Sequence, residues 1–258
     1  MKSILSEISG LLLDLDGVVY VGERVLEGAV ETVQYLKDRN IPCRFTTNTT
    51  VSSAATLHHK LTGMGLPVAE EEIFSALKAT VRYLRARGRP SCYLLLAEDP
   101  VRDFAEFPVS DTKPDFVIIG DVGKYWDYKL INKVFRMVMS GSKMIALHKG
   151  KYWQTEAGLQ VDMGAFVAGL EYVTGQEATV IGKPSPSFFK LALDDLGLPV
   201  ERVAMVGDDI DSDIGGAQAV GLKGVLVKTG KYRKELVENS AVKPDLVIDS
   251  IYSLIDFC

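Results

Sequence analysis

The chain has 258 residues, 47% of them hydrophobic and 24% charged, with a formal net charge of −5. A packed core is available as one large or two modest domains, and the acidic balance without clustered Lys and Arg argues against a nucleic-acid groove. No apolar run approaches the ~18 residues a bilayer span needs, and Glu7 interrupts the N-terminus before a signal-type segment forms; with Cys43, Cys92 and Cys258 lacking metal-type spacing, a cytoplasmic chain with reduced thiols and no membrane contact is expected.

In chain order, "LLLDLDGVVY" (Leu11 to Tyr20) reads as a buried strand ending in two carboxylates. Strand alternation puts Asp14 and Asp16 on one side, Leu13 and Leu15 on the other. Like charges at the edge of a core cost several kcal/mol each unless compensated, and a cation is the natural compensator. "EGAVETVQYLKDRN" (Glu27 to Asn40) predicts an amphipathic helix, with Val30, Val33 and Leu36 on one face. "IPCRFTTNTT" is a short strand running into a hydroxyl-rich turn, and "SSAATLHHKLTGMG" a helix from a serine cap to a glycine stop.

Strands are next expected near Cys92 to Leu96, Phe116 to Ile119 and Met144 to Leu147, enough for a separate small sheet. "ATVIGKPSPSFFKLALDDLGLP", "ERVAMVGDDIDSDIGGAQAVG" and "LKGVLVKTG" then each give a strand followed by a helix or turn. The whole predicts an α/β protein: a Rossmann-like, doubly wound parallel core from residues 1–79 and 178–258, with a smaller α/β domain inserted at 80–177.

Four polar stretches follow apolar strands: Asp14 to Gly17, Thr46 to Thr50, Gly182 to Ser185 and Gly207 to Asp213. Parallel strands end along one edge, so the four can converge. The site would then hold acids at 14, 16, 208, 209, 211 and 213, the hydroxyls of Thr46 and Thr47, the Asn48 amide and Lys183. That inventory suits Mg²⁺ beside a phosphate, with Lys183, Thr47 and Asn48 donating to phosphoryl oxygens. No acyl-transfer triad is in evidence, so an aspartate is the natural nucleophile, giving an aspartyl-phosphate. Asp16 would protonate the leaving oxygen and later take a proton from water.

"DLDGVVY", "FTTN", "GKPSPSFF" and "GDDIDSDIGGA", in that order, resemble the four motifs of the haloacid dehalogenase superfamily of phosphatases. The long interval between Asn48 and Lys183 is similar to the class with a large α/β cap there (type C2, NagD-like and 4-nitrophenylphosphatase-like). "ALHKGKYWQTEAGLQVDMGAF" and "VLVKTGKYR" are similar to the branch holding haloacid dehalogenase-like hydrolase domain-containing protein 2 and the phospholysine phosphohistidine inorganic pyrophosphate phosphatases. The resemblance implies Asp14 as nucleophile and metal ligand, and Asp16 as acid/base that also offers its backbone carbonyl to Mg²⁺. It further implies Thr47, Asn48 and Lys183 on the phosphate, Asp208 on the metal, Asp213 orienting the lysine, and a homodimer through the cap. Thr49 stands where relatives often carry a second asparagine.

Blander readings hold elsewhere. Asp209 and Asp211 read as helix-start aspartates. "DDIDSDIGG" mimics a calcium loop, but Ile214 and Val220 occupy the positions that need Gly and Glu. His58 and His59 are adjacent on a helix and cannot face the same way. His148 and Lys149 are candidate leaving-group contacts in a cap loop otherwise read as solvated with core aromatics, and Tyr125 and Trp126 sit in a similar loop. "GKPS" lacks the P-loop spacing. A phosphatase of small phosphomonoesters, with pyrophosphate or phosphoamino acids also compatible, is the expectation. The rival is a receiver-type phospho-aspartate switch, which needs neither the second aspartate nor a hundred-residue insert.

Overall fold

The computed structural model describes residues 7–155 and 158–256; the thiol of Cys258 lies outside the described residues. They form two compact units: one contains the described residues up to Thr47, Ala55–Ser75 and those from Lys183 on, the other Asn48–Ala54 and Ala76–Gly182. No described helix is long and apolar enough to cross a membrane.

In the first unit, β1 (Gly10–Asp14) is buried at all five positions, as a central parallel strand covered on both faces must be. A short antiparallel pair, β2 (Tyr20–Val21) and β3 (Arg24–Val25), follows. Helix α1 (Ala29–Asp38) starts two residues later than its pattern suggests, because Gly28 takes a left-handed φ of 76° with the Tyr252 ring where a β-carbon would sit. Next come β4 (Cys43–Thr47), α2 (Ala54–Gly63) and β5 (Ile73–Ser75). After the second unit follow α6 (Pro186–Leu196), β12 (Val203–Gly207), a tight turn at Ile210–Gly215, α7 (Gly216–Gln218), β13 (Lys223–Val227), α8 (Lys234–Asn239) and β14 (Leu246–Ile248).

The six strands run parallel in the order β14-β13-β12-β1-β4-β5. The order therefore turns back at β1, whose neighbours are β12 on one side and β4 on the other. Crossovers leaving β1 in opposite directions place helices on opposite faces and open a crevice at the carboxyl end of β1 and β12. The apolar packing beneath that crevice is continuous: Leu11, Leu13, Val33, Leu36, Phe45, Ala204, Val206, Val225, Ile251 and Leu254 are all buried in one cluster. Each such Leu or Phe contributes roughly 1.5–3 kcal/mol by leaving water. Phe188 packs edge-on against both Phe74 and Phe189 and is itself fully buried.

The second unit holds α3 (Ala76–Arg85), β6 (Cys92–Leu95), β7 (Phe116–Ile119), α4 (Tyr128–Met139), β8 (Lys143–Ala146), β9 (Tyr152–Thr155), β10 (Gly158–Val161), α5 (Gly164–Thr174) and β11 (Thr179–Val180). Its parallel sheet has the order β11-β8-β7-β6, and β9 and β10 form a separate hairpin. Two differences from the sequence reading stand out. Thr179 and Val180 pair with Ile145 and Ala146, so the strand before Lys183 belongs to this sheet and not to the core. The segment read as a solvated loop after Lys149 becomes β9 at Tyr152, whose ring is exposed. Trp126 does behave as a core aromatic, stacked on Phe166 at 4.4 Å, while Tyr125 is exposed.

Candidate active site

Asp14 is the last residue of β1, paired in register with Thr46 of β4. The strand ends there. The Leu15 carbonyl accepts the amides of Val18, Val19 and Tyr20, so the chain turns directly after the strand. Asp14 is buried and Asp16 exposed.

Lys183, the first residue after the second unit, is 5% exposed and lies between two carboxylates. Its Nζ donates to Asp14 Oδ1 at 2.5 Å and to Asp213 Oδ1 at 2.7 Å. Asp213 sits in the Ile210–Gly215 turn, where its Oδ2 also accepts the Asp209 amide at 3.2 Å. Gly207 makes room for it, since a β-carbon there would enter the Asp213 carboxylate. Asp208 follows β12 and is 2% exposed. Its Oδ2 accepts the Lys231 amide at 2.6 Å, whereas its Oδ1 has no hydrogen-bond partner among the described residues.

Asp14, Asp208 and Asp213 thus offer oxygens within 4.8 Å of one another. Three carboxylates against one ammonium leave two negative charges in a buried space. Burial is the main reason the Asp14 carboxyl sits well above the usual carboxylate range, with Lys183 opposing it. Burial and then the neighbouring Asp213 push Asp208 up to about 7. Burial alone would lower the Lys183 ammonium, but Asp14 and Asp213 hold it above the ordinary lysine value. A divalent cation matches the charge deficit, and the orphaned Asp208 oxygen is the acceptor such an ion would use. Asp213 has both oxygens engaged, which leaves Asp14 and Asp208 as the better donors.

The other candidates fall as follows. Thr47 is buried at the end of β4, while the Thr46 hydroxyl turns back to the Leu13 carbonyl at 3.3 Å and serves the sheet. Asn48, His148 and Lys149 belong to the second unit. There the Asn48 side-chain oxygen lies against Gly182, His148 Nδ1 accepts the Gly150 amide at 3.0 Å, and Lys149 pairs with Glu171 at 2.7 Å. Asp209 caps the following turn by accepting the amides of Asp211 and Ser212, and Asp211 is exposed, as expected of helix-start aspartates. His59 is exposed and His58 half-buried. The sequence reading gave no role to Thr229 and Lys231, which reach Gly17 and Asp208. Their signal was the same as that of the four motifs: a polar stretch with a glycine directly after an apolar parallel strand.

An acid-and-lysine cluster at the turning point of a doubly wound parallel sheet marks an α/β enzyme built to manage concentrated negative charge. Comparison with known proteins makes the class specific. A "Haloacid dehalogenase-like hydrolase" family model matches residues 11–107, and a second, HAD-hydrolase-like model matches 180–254. Human haloacid dehalogenase-like hydrolase domain-containing protein 2 is 36% identical over 249 residues, covering 96% of this chain and 95% of that one. Human phospholysine phosphohistidine inorganic pyrophosphate phosphatase is 38% identical over 260 residues, covering 98% and 94%. Among solved structures, 4-nitrophenylphosphatase from Thermotoga maritima superimposes with a TM-score of 0.92 at 29% identity, covering 98% of each chain. NagD from E. coli gives 0.87 at 25% identity, covering 95% and 97%. The chain belongs to the haloacid dehalogenase-like hydrolases, and within them to the NagD-like phosphatases. These likenesses favour hydrolysis over the receiver-type switch.

Proposed function

We propose that the protein is a Mg²⁺-dependent phosphatase of small phosphomonoesters that works through a phospho-aspartate on Asp14. The observation that carries this reading is the Lys183 bridge between Asp14 and Asp213 beside the orphaned Asp208 oxygen. Lys183 fixes the Asp14 carboxylate so that an oxygen meets the phosphorus in line with the leaving oxygen. As the P–O bond to the leaving group breaks, Asp16, free at the exposed edge, gives that oxygen its proton. In the second half-reaction Asp16 takes a proton from water, which attacks the phosphoryl group and returns Asp14 as a carboxylate. Thr47, Asn48 and the Lys183 ammonium donate to the phosphoryl oxygens, and Asp213 holds that ammonium in place. Asp14, Asp208 and the Asp16 backbone carbonyl would hold the cation, which when bound offsets the negative charge of the carboxylates and the phosphoryl group together.

The second unit acts as the inserted C2-type cap that selects the leaving group, with His148 and Lys149 as its candidate contacts, and the protein works as a cytoplasmic homodimer through that cap. A relative is named for phospholysine, phosphohistidine and inorganic pyrophosphate, and others for 4-nitrophenyl phosphate, so these head the substrate panel. The test is phosphate release across that panel with Mg²⁺ and with EDTA, for wild type and Asp14→Asn. Release that needs the metal and vanishes in the variant is expected. Turnover by Asp14→Asn near the wild-type rate would remove Asp14 as the nucleophile.

A further inference from the structure

The loop after β13 holds two parts of the proposed cation site, the Gly17 backbone and the Asp208 carboxylate. The Thr229 hydroxyl donates to the Gly17 carbonyl at 2.5 Å, and two residues later the Lys231 amide donates to Asp208 Oδ2 at 2.6 Å. Gly230 between them has a φ of +59°, and a β-carbon there would enter the Asp208 carboxylate and the Gly17 backbone. Gly17, with a φ of +89°, is under the same restriction, since its β-carbon would meet the same carboxylate. Two glycines thus let three segments close on one acid.

The hydrogen bonds around Gly17 give that closure a purpose. Its amide donates to the Tyr20 carbonyl at 2.7 Å, which orients the peptide joining Asp16 to Gly17. In a planar trans peptide the Asp16 carbonyl then points the opposite way from that amide. The next peptide is held from both sides, by Val18 donating to the Leu15 carbonyl at 3.3 Å and by Thr229 donating to the Gly17 carbonyl. Removing the Thr229 hydroxyl frees one side of the turn that carries the Asp16 carbonyl. Asp208 stays pinned by the Lys231 amide, which no side-chain change removes.

We propose that Thr229 is a positioning residue for the divalent cation: it fixes the Asp16–Gly17 backbone relative to Asp208, so that oxygens from two chain segments are presented at a set separation. The proposal rests on the phosphatase reading for what the cation does, and on geometry alone for how Thr229 acts.

The test is calorimetric titration of metal-free protein with Mg²⁺, for wild type, Thr229→Val, Thr229→Ser and Asp208→Asn, with thermal unfolding of each in EDTA. Thr229→Val should bind Mg²⁺ about tenfold more weakly, equivalent to about 1.4 kcal/mol, the size of one lost hydrogen bond. Thr229→Ser, which keeps the donor, should lie within about twofold of wild type by the same conversion. A merely structural threonine would lower the melting temperature in EDTA and leave the affinity of the folded protein unchanged. Thr229→Val binding Mg²⁺ like wild type, or Thr229→Ser as weak as Thr229→Val, would overturn the proposal. Should Thr229→Val not fold, Thr229→Ala enters the same titration with the same two outcomes. Wild-type protein that binds no Mg²⁺ overturns the cation and Thr229's role together, whereas Mg²⁺ binding without phosphate release from any substrate overturns only the phosphatase reading.

Discussion

Replacing Lys183 by methionine tests the charge balance of the site directly. Lys183 is 5% exposed and its ammonium bonds Asp14 at 2.5 Å and Asp213 at 2.7 Å, so methionine keeps the stem and leaves two buried carboxylates without their cation. Breaking a buried pair by removing one partner costs about 3–5 kcal/mol, because the remaining charge cannot be solvated. With a urea slope of about 3 kcal/mol/M for a chain of this size, the midpoint should fall by about 1–2 M. The cost must also depend on pH. Burial already holds the Asp14 carboxyl well above its ordinary range with Lys183 present, and without the ammonium the cluster binds protons more tightly still. A carboxyl whose folded pKa lies above its unfolded value loses stability as pH rises from the unfolded value through the folded one. The destabilisation by Lys183→Met should therefore be largest near about pH 8 and shrink toward about pH 5. The assay is urea unfolding of metal-free protein at both pH values, with Lys133→Met as control: the half-buried Lys133 pairs with the exposed Asp111 at 2.9 Å, and such surface pairs are worth about 0–1 kcal/mol. A loss below about 1 kcal/mol for Lys183→Met at the higher pH, no larger than for an exposed pair, would refute the reasoning.

Metal linkage gives the next expectation: Mg²⁺ at a hundredfold excess over its dissociation constant should add about 2.7 kcal/mol, or about 5–11 °C in melting temperature for a chain of this size. Asp208→Asn should abolish that shift in a thermal scan. In EDTA the wild-type protein should itself lose stability as pH rises from about 4 through 7, the interval between an unfolded carboxylate and Asp208 at about 7; melting temperature against pH checks the sign, and saturating Mg²⁺ should flatten the slope. Arg44 ties β4 to the end of α6 through the Asp195 carboxylate and the Asp195 carbonyl, and Arg44→Ala should cost about 1.5–3 kcal/mol for its charged hydrogen bonds. Urea unfolding measures that loss, and kcat should stay unchanged because neither residue borders the carboxylate cluster.

The site was legible where chemistry and periodicity coincide. Asp14 ends β1 and Asp208 directly follows β12, both apolar runs that read as buried strands, and in a parallel sheet such ends share an edge, with Asp213 in the turn just beyond. What escaped was decided by tertiary pairing. β5 and β14 are three residues each, too short for a period to register, and take their place through backbone pairing with β4 and β13. Thr179 and Val180 have nothing in their own sequence that assigns them to β8 over the core sheet. The unequal burial of Asp14 and Asp16 depended on where strand geometry stops, which the Leu15 carbonyl decides by collecting three amides. Thr229 and Lys231 were visible as a strand-end stretch, but they act through a hydroxyl on a carbonyl and through a backbone amide, and neither is a residue type that announces chemistry.

The arrangement carries a conflict between stability and chemistry. Asp14, Asp208 and Asp213 lie within 4.8 Å of one another with one ammonium among them, and a cluster with that imbalance opposes its own burial. It persists because it stands on the most constrained part of the chain: two fully buried strands, β1 and β12, meeting where strand order reverses. Around it, Lys183 holds one oxygen each of Asp14 and Asp213, and backbone amides hold two more: the Asp209 amide from a capped turn, and the Lys231 amide from a loop that glycine at 17 and 230 lets close. Asp208 Oδ1 has no such partner among the described residues. A scaffold that satisfies Asp213 twice and Asp208 once, at equal depth, leaves one buried acceptor unspent, and that is the oxygen a bound cation would take up.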